Sequence, residues 1–152
     1  MTNSVAIGVA YQDQAISGGT IDNTPIGATT QSTGAFSSLA LKTSTVAATG
    51  SSNTDAAALT TGFNLVTAAD ATKGVILPDS VAGTVIIVKN ADAANAVLKV
   101  YPDSGAAINA LTATTGAFSM AAKTSCIFVA YSTTQWYSVP LVASILLLAC
   151  FA

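Results

Sequence analysis

Short runs of β-forming residues, each closed by a turn cluster, occupy the chain from residue 57 onwards. The runs recur about every eight to twelve residues, which is typical of a sandwich or barrel. Eight strands are predicted, at 57–60, 63–67, 74–77, 84–90, 96–101, 117–120, 125–131 and 135–139. The run at 85–88 is apolar at every position and predicts a central strand covered on both faces. We therefore expect an all-β fold with a small antiparallel β-sandwich or jelly-roll-like domain over residues 56–140.

The N-terminal stretch has a different pattern, with one isoleucine after each turn cluster. Ile16, Ile21 and Ile26 are separated by Gly, Asp-Asn and Pro-containing turns, which leave pieces shorter than a typical strand of ~5 to 6 residues. Such pieces bury little surface within one chain. They become stable if identical chains wind together and the isoleucines share a centre. The other interpretation is a floppy, turn-rich N-terminal arm.

Residues 36–46 show a mostly period-two pattern that predicts a half-buried strand or pair of strands, and Phe36 and Leu39 join the predicted subunit interface. A Gly, Ser and Asn cluster at 49–55 marks the boundary between an arm, 1–48, and the β domain, 56–140. The last segment, 141–152, is apolar and uncharged. It is too short for a bilayer-spanning helix of ~20 residues, so we expect it to bury Leu141, Ile145, Leu148 and Phe151 against an assembly partner.

Composition narrows the functional classes. Charged residues make up 8% of the chain, as five lysines and seven aspartates with no histidine, against ~25% in ordinary soluble domains. Much of the surface is therefore expected to be covered in an assembly or coated with Thr, Ser and Asn. The lysines are scattered singly, which argues against nucleic-acid binding. The N-terminal residues lack a signal-peptide pattern, which predicts a product made in the cytoplasm. No membrane association is expected.

Catalytic chemistry finds little support in the residues. Without histidine the usual serine and cysteine triads cannot form, and no metal or phosphate motif predicts a cofactor. Asp22, Asp79, Asp92 and Asp103 lie at turn-like positions, where an aspartate bonds its own backbone. The chain is expected not to be an enzyme.

Cysteine and aromatic residues have structural interpretations. Cys126 and Cys150 lie in apolar runs and are expected to be buried, inert thiols. Trp136 and Tyr137 are adjacent in a predicted strand, so one ring should enter the core while the other lies at the surface or an interface.

Two segments carry a resemblance to a known group of proteins. Residues 16–27 read Ile-Ser-Gly-Gly-Thr-Ile-Asp-Asn-Thr-Pro-Ile-Gly, and residues 32–39 read Ser-Thr-Gly-Ala-Phe-Ser-Ser-Leu. This phrase resembles a segment of tail fibres, tail spikes, head fibres and decoration proteins of tailed bacteriophages. A weaker likeness to a small β domain of phage structural proteins covers residues 74–139. The apolar C-terminal extension departs from that pattern.

The resemblance implies a trimeric, intertwined β arm and a role in particle architecture. The expected function is a homotrimeric capsid decoration, cement or head-fibre protein that binds the major capsid protein or another virion protein, without a cofactor. The alternative is a short tail-fibre or receptor-binding protein that contacts a host surface glycan. A third class, a membrane-active small protein acting through residues 141–152, ranks below both. The expected location is the virion, on the capsid surface rather than the tail.

Overall fold

The structure, a computed structural model, describes residues 37–60 and 62–141. This part of the chain contains ten β-strands and no helix. The all-β prediction is confirmed. Each of the eight predicted strands is present in whole or in part. The strands are β1 (Thr43–Ala47), β2 (Ala57–Ala58), β3 (Gly62–Thr67), β4 (Gly74–Ile76), β5 (Val85–Asn90), β6 (Leu98–Tyr101), β7 (Ala107–Ile108), β8 (Phe118–Met120), β9 (Ser125–Ser132) and β10 (Gln135–Leu141).

The strands form two sheets, and the chain alternates between them from β1 to β9. The larger sheet has the order β1-β3-β5-β9-β10-β7, and the smaller has the order β2-β4-β6-β8. The strand pairs β1/β2, β3/β4 and β5/β6 are three successive rungs of a solenoid-like coil. Rungs pair in parallel, with Thr43 beside Phe63 and Phe63 beside Ile87 in the larger sheet.

The predicted antiparallel sandwich or jelly-roll-like pairing is wrong for these rungs. Within each sheet the first three strands are parallel, and antiparallel pairing begins where β8 joins β6 and where β9 joins β5. β10 is antiparallel to β9, and β7 is parallel to β10. The physical reason is connectivity. Each chain segment crosses to the other sheet before it returns, so strands that are neighbours in one sheet run in the same direction.

The compact unit begins earlier in the chain than the cluster at 49–55. Contacts divide the chain between Ser38 and Leu39, and β1 pairs along its whole length with β3. Residues 43–47, which the sequence pattern placed in the arm, therefore form the first strand of the larger sheet. The loop at 49–55 connects the two strands of the first rung.

The core lies between the two sheets. Ile86, Val88 and Phe128 of the larger sheet and Val100 of the smaller one are fully buried. Phe118 and Phe128 meet edge to face, with ring centroids 5.5 Å apart. β5 is central, between β3 and β9, as predicted. Among the described residues of a single chain only the face towards the core is covered, because Val85, on the face away from the core, is 48% exposed.

Two buried asparagines are held by hydrogen bonds in the core. Asn64 accepts a hydrogen bond from Ser44 Oγ at 2.6 Å and so joins two rungs. Asn90 donates through Nδ2 to the carbonyl oxygens of Ala96, Met120 and Ala121 at 2.9, 3.2 and 3.2 Å. Every buried side-chain nitrogen and oxygen of the described part has a hydrogen-bond partner, which meets the requirement for burying polar groups.

Two exposed loops are closed by aspartates. Hydrogen bonds from the Lys73 amide and from Thr72 hold the pKa of Asp70 well below its ordinary value of 3.8. Hydrogen bonds from the Ser52 hydroxyl and amide, and from the Ser51 amide, likewise lower the pKa of Asp55. Both carboxylates cap their own loops.

These carboxylates predict a loss of stability in acid. A carboxyl whose pKa is lower in the folded state stabilises the fold above its unfolded pKa, and that contribution disappears as the pH falls through the folded value. We expect the free energy of unfolding to decline as the pH falls from about 4 to about 2. Asp55→Asn and Asp70→Asn together should flatten this decline. Urea melts across the range would measure it, and equal pH slopes in the wild type and the double variant would contradict the assignment.

Candidate functional site

An exposed apolar surface runs along the side of the larger sheet that faces away from the core. Its most exposed side chains come from β5, β9 and β10. They are Val85 at 48%, Tyr131 at 73%, Tyr137 at 49%, Val139 at 50% and Leu141 at 47% exposure.

Five partly buried apolar side chains continue this surface across the sheet. They are Phe63 and Leu65 of β3, Ile87 of β5, and Ile127 and Val129 of β9. The strand register aligns the outward side chains in rows. In one row, Phe63, Ile87, Ile127 and Val139 lie side by side across four strands. These residues and the five half-exposed ones are called the outer face below.

The outer face forms because β3, β5, β9 and β10 carry apolar residues at alternate positions on both sides. A sheet with one solvated side normally shows polar residues there. The outward positions of these four strands carry no carboxylate and a single lysine, Lys89, whose ammonium donates to the carbonyl oxygen of Lys123. The surface is therefore apolar and almost uncharged.

Trp136 and Tyr137 divide between core and surface as predicted. Trp136 is fully buried, and Tyr137 lies on the outer face. Tyr137 packs edge to face on Tyr131, with ring centroids 5.9 Å apart. This geometry is favourable for aromatic pairs, so the two exposed rings support each other's position.

A buried polar cluster ties together loops at one end of the fold. The Asp103 carboxylate accepts hydrogen bonds from the Trp136 indole at 3.0 Å and from the Ser80 amide and hydroxyl, each at 3.1 Å. Asp103 was predicted to bond its own turn, but its carboxylate instead links the distant segments of Ser80 and Trp136. Asp92 does close its own turn, because its carboxylate accepts a hydrogen bond from the Ala96 amide. The Ser80 hydroxyl also lies 2.5 Å from the carbonyl oxygen of Thr133, so the cluster links a further loop.

Cys126 lies beside a small apolar cavity. Burial raises the pKa of the Cys126 thiol to about 11, so the thiol is protonated and inert at neutral pH, as expected. The cavity, of about 220 Å³, is lined mainly by Phe118, Met120, Cys126 and Pro140. It is smaller than ligand pockets of ~300 to 1,000 Å³, and its lining is mostly apolar, with Ser119, Thr124 and Ser125 as the polar residues.

The structure describes two of the predicted interface residues. Leu39 is 75% exposed, and Leu141 ends β10 on the outer face. The other predicted contacts, Ile16, Ile21, Ile26, Phe36, Ile145, Leu148 and Phe151, lie outside the described residues.

Comparison with known proteins finds no matching family model, no similar curated protein and no similar solved structure. Within residues 37–60 and 62–141, no group of three or more metal-ligating side chains lies together, and no helix there is long and apolar enough to cross a membrane. The outer face is thus the strongest functional candidate in the described part of the chain.

Proposed function

We propose that this chain is a non-enzymatic structural protein of a tailed-bacteriophage virion, a homotrimer that decorates or cements the capsid or forms a head fibre. The observation that carries the proposal is the outer face, an apolar sheet surface on a chain with few charges. Large exposed apolar patches mark interaction sites. The resemblance of residues 16–39 to phage appendage proteins supplies the kind of assembly.

In this proposal each segment has a separate task. The isoleucines of the N-terminal segment join three chains, the β domain covers part of the capsid, and residues 141–152 contact the major capsid protein or another virion protein. Burying apolar surface stabilises a contact by ~25 cal/mol per Å². Because a trimer presents every contact three times, weak contacts combine through multivalency.

The exposed aromatic pair supports a second candidate, a short tail-fibre or receptor-binding protein. Tyr131 and Tyr137 are both exposed and pack edge to face on each other, and exposed aromatic rings suit contact with the apolar faces of sugars. Saturable binding of the purified protein to a host glycan, abolished by Tyr131→Ala and Tyr137→Ala, would favour this candidate. Capsid decoration does not require such binding.

Replacing Ile21 by Asp tests the proposed trimer. The change would place a charge at an apolar centre shared by three chains, which is strongly unfavourable. We expect the mass in solution to fall towards that of one 15.1 kDa chain, measured by light scattering after size exclusion. Ile21→Val is the matched control and should stay assembled. An unchanged mass for Ile21→Asp would contradict the proposed centre.

Location on the particle tests the function itself. Antibodies raised against the purified full chain should label intact phage particles from a lysate of the source phage, and electron microscopy should place the label on the head. Label confined to the tail would favour the tail-fibre candidate. Particles that remain unlabelled, and whose purified protein content lacks this chain, would overturn the virion proposal.

A further inference from the structure

The outer face has no covering partner within the described residues, and we infer that its partner is the outer face of a second copy of this chain. The inference rests on the proposed homotrimer and adds a two-fold contact between chains of different trimers, because three identical faces cannot pair off two by two within one trimer. The N-terminal isoleucines would join the three chains of a trimer, and the outer faces would join one trimer to another.

The size of the outer face fits such a contact. Its five half-exposed side chains leave roughly 500 Å² in solvent, since an aromatic side chain alone presents ~150 to 250 Å². This is near the upper end of the largest patch on a typical monomer, ~300 to 600 Å². Two copies face to face would remove roughly 1,000 Å² from solvent, about the minimum for a specific interface before the partly buried residues are counted.

The chemistry of the outer face also favours a copy of itself. It carries no carboxylate, and the Lys89 ammonium is already bonded to a backbone carbonyl. A strongly charged partner would find no counter-charge there. An identical apolar surface matches the outer face in polarity and needs no counter-charge. Two sheets also commonly pack face to face at ~10 Å.

The half-exposed residues indicate where the contact is centred. Val85, Val129 and Tyr137 are aligned across β5, β9 and β10, and the Tyr131 ring packs against Tyr137. Tyrosine is enriched at the energetically important centres of interfaces. The centre of the contact is therefore this row, and the partly buried residues of β3 are at its margin.

Residues 142–152 are the other occupant that the experiment must exclude. They follow Leu141, which belongs to the outer face, and they are apolar and uncharged. If they cover the outer face of their own chain, substitutions on that face will not affect contacts between subunits.

Subunit exchange measured by native mass spectrometry tests the inference on the full chain. Unlabelled and ¹⁵N-labelled assemblies are mixed, and the rate of mixed-oligomer formation is followed. Val85→Lys and Tyr137→Lys introduce a charge at the centre of the outer face, while Val81→Lys makes the same change at a 62% exposed residue outside the strands. Interface substitutions act mainly on dissociation rates, so we expect at least ten-fold faster exchange for the first two variants and an unchanged rate for Val81→Lys.

Each result bears on the inference. Equal exchange rates in all variants, or a wild-type chain that forms no assembly larger than a trimer, would overturn it. Faster exchange in an Ile145→Asp/Leu148→Asp variant but not in Val85→Lys would assign the contact to the C-terminal segment instead. Far-ultraviolet circular dichroism must show that the variants are folded. If Val85→Lys unfolds, the exchange rate of Tyr137→Lys decides the test. Head labelling together with unchanged exchange rates would leave the virion proposal standing and remove only this contact.

Discussion

Replacing Asn90 by Asp is expected to lower the free energy of unfolding by ~3 to 5 kcal/mol at neutral pH, the usual cost of an uncompensated buried charge. Asn90 is fully buried, and its amide nitrogen donates towards three backbone carbonyls. Aspartate has nearly the same shape but would present a carboxylate oxygen to those carbonyls. Because folded domains are stable by only ~5 to 15 kcal/mol, this single change approaches the stability of the whole domain.

Urea melts at fixed protein concentration measure the effect of the Asn90 substitution. Asn95→Asp is the matched control, because Asn95 is exposed and lies five positions away, and a change of less than ~0.5 kcal/mol is expected there. The loss of unfolding free energy caused by Asn90→Asp should be smaller in mild acid, since a protonated carboxyl can donate a hydrogen bond to one carbonyl. A loss no larger than that of Asn95→Asp would show that the Asn90 amide contributes little to joining the sheets.

Replacing Asp103 by Ala is expected to cost ~3 to 4 kcal/mol of stability. The change removes the acceptor of the buried Trp136 indole N–H and of the Ser80 amide, whereas the Ser80 hydroxyl keeps the carbonyl oxygen of Thr133 as an acceptor. Hydrogen bonds to charged groups contribute ~1.5 to 3 kcal/mol, and a buried donor left without a partner costs ~1 to 3 kcal/mol. Asp103→Asn keeps an acceptor for the indole and should retain most of the stability.

The fluorescence of Trp136 reports on the Asp103 cluster directly, because the chain contains one tryptophan. We expect Asp103→Ala to shift its emission and lower the urea midpoint together. Asp103→Asn should leave the emission close to that of the wild type. If Asp103→Ala melts like the wild type, the loops of Ser80, Asp103 and Trp136 are held by packing alone.

Strand positions could be predicted from the sequence because they depend on local pattern. The runs around Val88, Val100 and Phe128 are short, β-rich and bounded by turn residues, and each forms a strand. Pairing direction could not be predicted, because it depends on which sheet the chain enters after each turn. The loops at 68–73 and 91–97 lead to the opposite sheet, and nothing in their composition distinguishes such a crossing from a hairpin.

The candidate site was predicted only in outline. The expectation of a covered surface followed from the low charge, and one ring of the Trp136–Tyr137 pair was expected at the surface or an interface. Phe63, Ile87 and Ile127 were missed as a group, since their alignment depends on register between strands distant in sequence. The sequence did contain a sign of the outer face, namely apolar residues on both sides of strands that should have one side in solvent. In β5 this pattern was interpreted as burial of both faces.

The role of Asp103 could not be inferred from the sequence for a similar reason. An aspartate after a proline is typical of a turn residue, and its neighbours give no indication of a tryptophan 33 positions away. The indole and the carboxylate meet because the end of β6 lies beside the start of β10. Such polar contacts between distant segments follow from topology.

Hydroxyl-radical footprinting of the assembled full chain tests the central claim, that the outer face is covered by another copy. Tyr131 and Tyr137 are exposed in the single chain, whereas Tyr101 is 7% exposed and serves as a buried reference of the same residue type. The account predicts that both tyrosines, in the oligomer, are oxidised as slowly as Tyr101. Oxidation of Tyr131 and Tyr137 several times faster than that of Tyr101 in the oligomer would contradict it.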